Sequence, residues 1–184
     1  IRGMILRAKI DRKLRLLSPA SLRLAMSSQI ELRPKDSDCP FCNINTLKTR
    51  TLEEGEQVRV IFSNPRLVKG HLLVTPKRHV EQPWELTKDE LREIFSHIHT
   101  LQQKISETLG TGCDIRQNYR PFMKQGKLKV DHLHFHLLPR TFQDELYERS
   151  MKYETDIFSD LLDEEIAEVR GALDGARVTK GVKL

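Results

Sequence analysis

The most regular alternation in the chain runs from residue 132 to 137, where histidine and apolar residues take turns as His-Leu-His-Phe-His-Leu. Successive side chains of a strand point to opposite faces, so this pattern predicts a half-buried strand. His132, His134 and His136 then share one face, and Leu133, Phe135 and Leu137 share the other. The apolar face packs on a core, and the imidazole face looks into a cleft or solvent. The chain has seven histidines and three fall within these five residues, which makes a chance solvated face a poor explanation.

Elsewhere the pattern predicts shorter strands and one clear helix. Residues 58–62, 70–76 and 113–118 read as strands, with a turn at 64–66. Thr87 followed by Glu90 forms a capping-box signature. Behind it, Leu91, Ile94, Phe95, Ile98, Leu101, Ile105 and Leu109 keep a helical stripe up to Gly110, a stop signal. After Arg140 the period turns helical again, with Leu146, Met151, Ile157, Leu161, Leu162, Ile166 and Val169 as candidate buried positions. Short strands, a long helix and further strands on hairpin-length links imply an α+β fold, an antiparallel sheet with helices on one face. Three segments follow: a basic arm over 1–35, the patterned domain over 36–142, and a C-terminal helical extension over 143–184.

Composition narrows the function classes. Hydrophobic residues make up 38% and charged residues 31% of the chain. No apolar run approaches the roughly 20 residues of a membrane helix. The net charge of +5 is local: residues 1–35 hold nine Lys/Arg and two Asp/Glu, leaving 22 basic and 24 acidic residues for the rest. The body therefore does not read as a nucleic-acid surface; only the arm is basic. That arm has the composition of a transit peptide and equally of a helical arm, and its charges break any secretory apolar stretch. Three cysteines with no secretory signal point to a reducing, cytoplasmic compartment.

A row of imidazoles has two uses. Neutral histidine is a metal ligand and a nucleophile. His132 and His136 stand roughly 13 Å apart along a strand, too far to share one ion. Two histidines at alternate positions remain able to bind a metal. In the other use, His134 attacks phosphorus, His136 holds the leaving atoms, and His132 orients the site or serves a metal.

The run from His132 to Leu138 matches H-φ-H-φ-H-φ-φ, with φ apolar, and Pro139-Arg140 follows it. A second block, NPRLVKGHLLVTPKRHV at 64–80, resembles a stretch containing G-H-x-L-V-x-P-K-x-H. On these two blocks the chain resembles the histidine-triad (HIT) superfamily. The resemblance implies a five-stranded antiparallel sheet with a long helix packed on it, usually in a homodimer. It also implies cleavage or transfer at the α-phosphate of nucleoside phosphates through a covalent nucleotidyl-histidine. His134 then looks like the nucleophile, and His136 like the residue that binds the phosphate or leaving group. The C-x-x-C of Cys39 and Cys42 is a weak signal alone. In the zinc-binding branch of the family it joins the His of P-K-x-H and the first triad His, here His79 and His132, around a structural Zn2+.

Departures leave the substrate class open. Many HIT hydrolases carry Gln where this chain has Leu128; Lys124, Gln125, Lys127 or amides near Gly126 are the candidates to replace it. The ribose-binding acidic or amide position falls on Ser63 by counting, and on Asn64 after a one-residue shift. Asn118 resembles the Asn of the strand before the triad. His71 reads as structural, His97 and His99 as surface or partly packed, Cys113 as a buried apolar residue, and Trp84 as core or pocket lining. The expected activity is a nucleotide hydrolase or nucleotidyl transferase on dinucleoside polyphosphates or phosphoramidates. The alternatives are a non-catalytic nucleotide-binding regulator and, on the basic arm alone, an aprataxin-like hydrolase of DNA adenylates. Neither a membrane nor a nucleic-acid partner is otherwise expected.

Overall fold

In the computed structural model, residues 39–43, 50–126 and 129–176 are described. Five strands form one antiparallel sheet: β1 Thr51–Glu54, β2 Val58–Phe62, β3 Leu72–Pro76, β4 Gly112–Gln117 and β5 Phe135–Arg140. Their order across the sheet is β1-β2-β3-β5-β4. The long helix α1, Lys88–Thr108, connects β3 to β4 and covers one face. The α+β expectation, its five antiparallel strands and its packed helix are all present.

Alternation in β2 and β3 decides what each face does. Val58, Val60, Leu72 and Val74 point to the helix side and join Ile94, Ile98, Leu101 and Ile105 in the main core. Burying one such side chain contributes about 1.5–3 kcal/mol. Ile61 and Leu73 point the other way, where Cys39 and Phe41 cover them. The sheet is thus enclosed on one side by α1 and, over β2 and β3, on the other by the turn containing Cys39–Cys42. Phe95 and Leu109, also on the predicted stripe, stay half exposed; Phe95 keeps an edge contact with Phe135.

The capping box is formed as the sequence predicts. The Thr87 side chain accepts from the Glu90 N–H, and the Glu90 carboxylate accepts from the Thr87 N–H. β1 had no counterpart in the sequence reading. Its Thr-Leu-Glu-Glu offers one apolar side chain, Leu52, and that is exposed on the edge strand.

The C-terminal pattern requires a correction. The extension is helical, in separate pieces, as α2, Glu145–Arg149, a 3-10 turn over Met151–Asp156, and α3, Asp163–Asp174, but its expected buried positions are not buried. Ile157, Leu161, Leu162, Ile166 and Val169 are exposed, and α3 buries no residue. Leu146 and Met151 are only partly buried. Periodicity shows that a face is apolar, but burial needs an opposing surface, and the helix-side face of the sheet is already taken by α1. Among the described residues no helix is long and apolar enough to cross a membrane. The arm at 1–35 lies outside the described residues.

Candidate active site and metal centre

β5 begins at Phe135, so only His136 of the three histidines lies within a paired strand. His132 and His134 precede the strand, in a segment that bends at Asp131–His132, so the alternation predicts a strand three residues longer than the one formed. That segment is pinned, because the Leu133 N–H donates to the Val80 carbonyl and Thr75 Oγ1 donates to the Leu133 carbonyl at 2.8 Å. The two sequence blocks are thereby stitched together, bringing His79 and His132 side by side with ring centroids 5.0 Å apart.

Cys39, Cys42, His79 and His132 converge, with their ligand atoms all within 4.8 Å of one another. Cys39 Sγ lies 3.4 Å from His132 Nδ1, and Cys42 Sγ lies 3.3 Å from His79 Nδ1. His132 is fully buried, and its Nε2 is 2.9 Å from the Pro76 carbonyl. A carbonyl only accepts, so Nε2 carries the hydrogen and Nδ1 presents a lone pair to the sulfurs. Burial pushes its pKa down to about 4, keeping it neutral and able to ligate. These four side chains are close enough to hold a metal ion.

His134 is held in the opposite tautomer. Its Nδ1 is 2.6 Å from the His132 carbonyl, so Nδ1–H donates and Nε2 keeps the lone pair. Burial lowers its pKa, against the opposing effect of that hydrogen bond. Phe41 meets its ring edge-on at 5.3 Å, and His136 stands 4.8 Å away, centroid to centroid.

His136 depends on a residue that sequence reasoning set aside as structural. The Leu67 N–H donates to His71 Nδ1 at 3.1 Å. Neutral His71 therefore carries its hydrogen on Nε2, which lies 2.9 Å from His136 Nδ1. His136 accepts there and keeps its own hydrogen on Nε2. Burial, with the nearby His134 and Arg116, pushes His71 down to about 4. Burial, His134, His71 and Arg116 push His136 to about 3. His71 reaches this place because Leu73, two residues on along the same face, pairs with His136. Strand register carries that information, and no local motif does.

A cleft of about 270 Å³ opens beside the triad. His134, Asn118 and Gln125 line it, and His136, Ser63 and Asn64 do not. Asn118 Oδ1 faces the Arg120 guanidinium at 3.4 Å, and Gln125 Oε1 accepts from the Asp131 N–H at 3.2 Å. Ser63 Oγ donates to the Pro65 carbonyl at 2.7 Å, in a turn where Asn64 is exposed. Lys127 and Leu128 lie outside the described residues.

The HIT domain family model matches residues 46–143, more than half of the chain. The chain belongs to the HIT family. An uncharacterized HIT-like protein of Methanocaldococcus jannaschii is 32% identical over 105 residues, 55% of this HIT chain and 78% of that one. Two fission yeast (Schizosaccharomyces pombe) enzymes align over shorter stretches. An adenosine 5'-monophosphoramidase is 32% identical over 39% of this chain and 50% of its own length. An asymmetrical bis(5'-nucleosyl)-tetraphosphatase is 30% identical over 42% of each. The crystal structure of a Bacillus subtilis HIT family member superposes with a TM-score of 0.59, covering 78% of this chain and all of that one. At 22% identity that likeness shows the shared fold.

Proposed function

We propose that this HIT protein cleaves or transfers nucleoside phosphates at the α-phosphate, with His134 as nucleophile. The observation that carries the reading is the His134 tautomer: Nδ1–H is tied to the His132 carbonyl, leaving an Nε2 lone pair on a ring that lines the cleft. That lone pair attacks phosphorus. A P–N bond forms, the bond from phosphorus to the leaving group breaks, and its electrons go to the leaving atom, which departs as a phosphate oxygen or, from a phosphoramidate, as a nitrogen already protonated from solvent. His136 Nε2–H donates a hydrogen bond to that atom or to a phosphate oxygen. Water, or another acceptor hydroxyl, then attacks phosphorus and gives up its proton to solvent, the P–N bond breaks, and its electrons return to Nε2. Dinucleoside polyphosphates and nucleoside phosphoramidates are the substrate classes, in keeping with the names of the two yeast relatives. Ser63 or Asn64 would bind the ribose, and Asn118, Gln125 and Lys127 the phosphates.

Zinc is the ion that suits two thiolates and two imidazoles. Tetrahedral zinc, with Zn–S about 2.3 Å and Zn–N about 2.0–2.1 Å, sets sulfur and nitrogen ligands about 3.5 Å apart. The sulfur-to-nitrogen contacts of 3.3 to 3.5 Å fit that spacing. When bound, the ion would be structural. Cys39, Cys42, His79 and His132 would hold it and so fix the carbonyl that orients His134.

The test is His134→Asn assayed on diadenosine tetraphosphate and on adenosine phosphoramidate. Turnover falls by roughly 10⁴-fold or more while nucleotide binding is retained. Near-full activity in that variant would end the mechanism. No turnover by the unmodified protein on any nucleotide would favour a binding-only role, for which Leu128 in place of Gln is the motive.

A further inference from the structure

We infer that Arg116 is a further catalytic residue, whose guanidinium donates hydrogen bonds to the non-bridging oxygens of the reacting phosphoryl group and stabilises the charge that builds there. The inference rests on the α-phosphate reading above and adds a residue to it. Arg116 of β4 pairs directly with His136 of β5, and His136 pairs with Leu73 of β3. Paired residues share a face of the sheet, so Arg116 stands on the imidazole face, its Cβ roughly 5 Å from that of His136. β4 is an edge strand, and the Arg116 side chain is 34% exposed. A ligand seated at His136 can therefore reach it.

The protein itself asks little of this guanidinium. NH2 donates to Asp114 Oδ2 at 2.8 Å and lies 3.6 Å from Met151 Sδ. Nε and NH1 make no hydrogen bond among the described residues. Asp114 is shared, since the same Oδ2 also accepts from Arg140 NH1. Arg140 commits its other nitrogens to Asp144, with Nε at 2.6 Å and NH2 at 2.9 Å. Arg140 is thus spent as a tie between β5 and α2, whereas Arg116 keeps its Nε–H and NH1 hydrogens for a ligand. Its charge opposes protonation of both His71 and His136, so it acts at the reacting centre. Beside two neutral rings that charge has nothing to neutralise, and a bound phosphoryl group supplies the counter-charge. Attack by neutral His134 pushes electron density onto the phosphoryl oxygens, where a fixed cation lowers the barrier. Arg116 stays charged throughout and transfers no proton, so the bonds made and broken are those given above.

Arg116→Gln removes the charge, and Arg116→Lys restores it without the planar fork. Both variants and the parent are assayed on diadenosine tetraphosphate and on adenosine phosphoramidate, and all are unfolded in urea. Arg116→Gln lowers kcat by roughly 100-fold or more on both substrates while KM changes by less than roughly threefold, and Arg116→Lys regains roughly tenfold or more of the loss. A merely structural arginine would move the urea midpoint and leave kcat within roughly threefold of the parent, which would overturn the assignment. So would a loss that Arg116→Lys fails to relieve, or one confined to a single substrate, since the phosphoryl oxygens are common to both. In each of these cases the α-phosphate reading stands, because His134→Asn still abolishes turnover. No turnover of either substrate by the parent would break that reading, and the assignment would fall with it.

Discussion

His136 is set by His71, sixty-five positions away in the chain. The backbone N–H of Leu67 fixes one tautomer, that tautomer fixes the next, and the chain of donors ends at His136 Nε2–H. His71→Phe removes the donor and frees the His136 ring to flip. A kcat loss of roughly 10–100-fold with little change in KM is expected, as for other hydrogen-bonded supports of an active ring. Equal kinetics in the variant and the parent would count against this positioning role. The same two rings make the fold acid-sensitive. Burial holds His71 near 4 and His136 near 3, against an ordinary 6.5, so both stay neutral when folded. The unfolded chain binds their protons first, so stability is full above about 6.5 and declines as the pH falls toward 4. Two such protons give a slope approaching about 2.7 kcal/mol per pH unit. Urea unfolding at pH 7 and pH 5, at constant metal occupancy, measures it, and His71→Phe reduces the slope. Of the candidate residues, His79, His132, His134 and His136 were legible from spacing and resemblance. His71 stands in the second motif as well, but its role was not legible, because its partner is chosen by strand register.

At the scale of elements, the helix start was readable and its second use was not. Glu90 closes the Thr87 cap and also takes Arg78 Nε at 2.9 Å and Arg78 NH2 at 2.8 Å. Burial alone would raise its pKa, but the hydrogen bonds from Arg78 and Thr87 outweigh it and the carboxyl lies lower than usual. Arg78 precedes His79, so this buried carboxylate ties the β3–α1 connection to the helix end. Glu90→Ala leaves the Thr87 N–H and Arg78 without their partner. A loss of about 1–3 kcal/mol is expected in urea unfolding, together with weaker metal retention. An unchanged midpoint would dismiss the tie. Gly110 shows a similar gap between signal and cause. A Cβ there would stand 2.5 Å from the Arg140 carbonyl oxygen, so glycine is demanded by the close approach of β5 and not by a left-handed cap. At the far end, the period over α3 is helical and the helix forms, but its apolar positions stay exposed. What covers a face lies outside the face.

At the scale of the molecule, the four side chains able to hold a metal ion come from segments far apart in sequence. Cys39 and Cys42 come from the turn over the sheet, His79 from beyond β3, and His132 from the approach to β5. Purified protein is expected to carry about one zinc per chain. Chelation, or Cys39→Ser, should lower the melting temperature and slow turnover together, because the carbonyl that orients His134 belongs to His132, one of the four proposed to hold the ion. A ratio near zero in material prepared without chelator, or an unaltered melt after chelation, would remove zinc from the account. The sequence by itself determined what short-range rules govern: the strand alternations, the capped helix, the donor types and the spacing of two motifs. Only the tertiary structure decided the strand order, the tautomer of each ring, the cleft, and which apolar faces found a partner. Side-chain period and capping depend on neighbours a few residues away. Register, burial and hydrogen-bond direction depend on segments that meet only when the sheet closes.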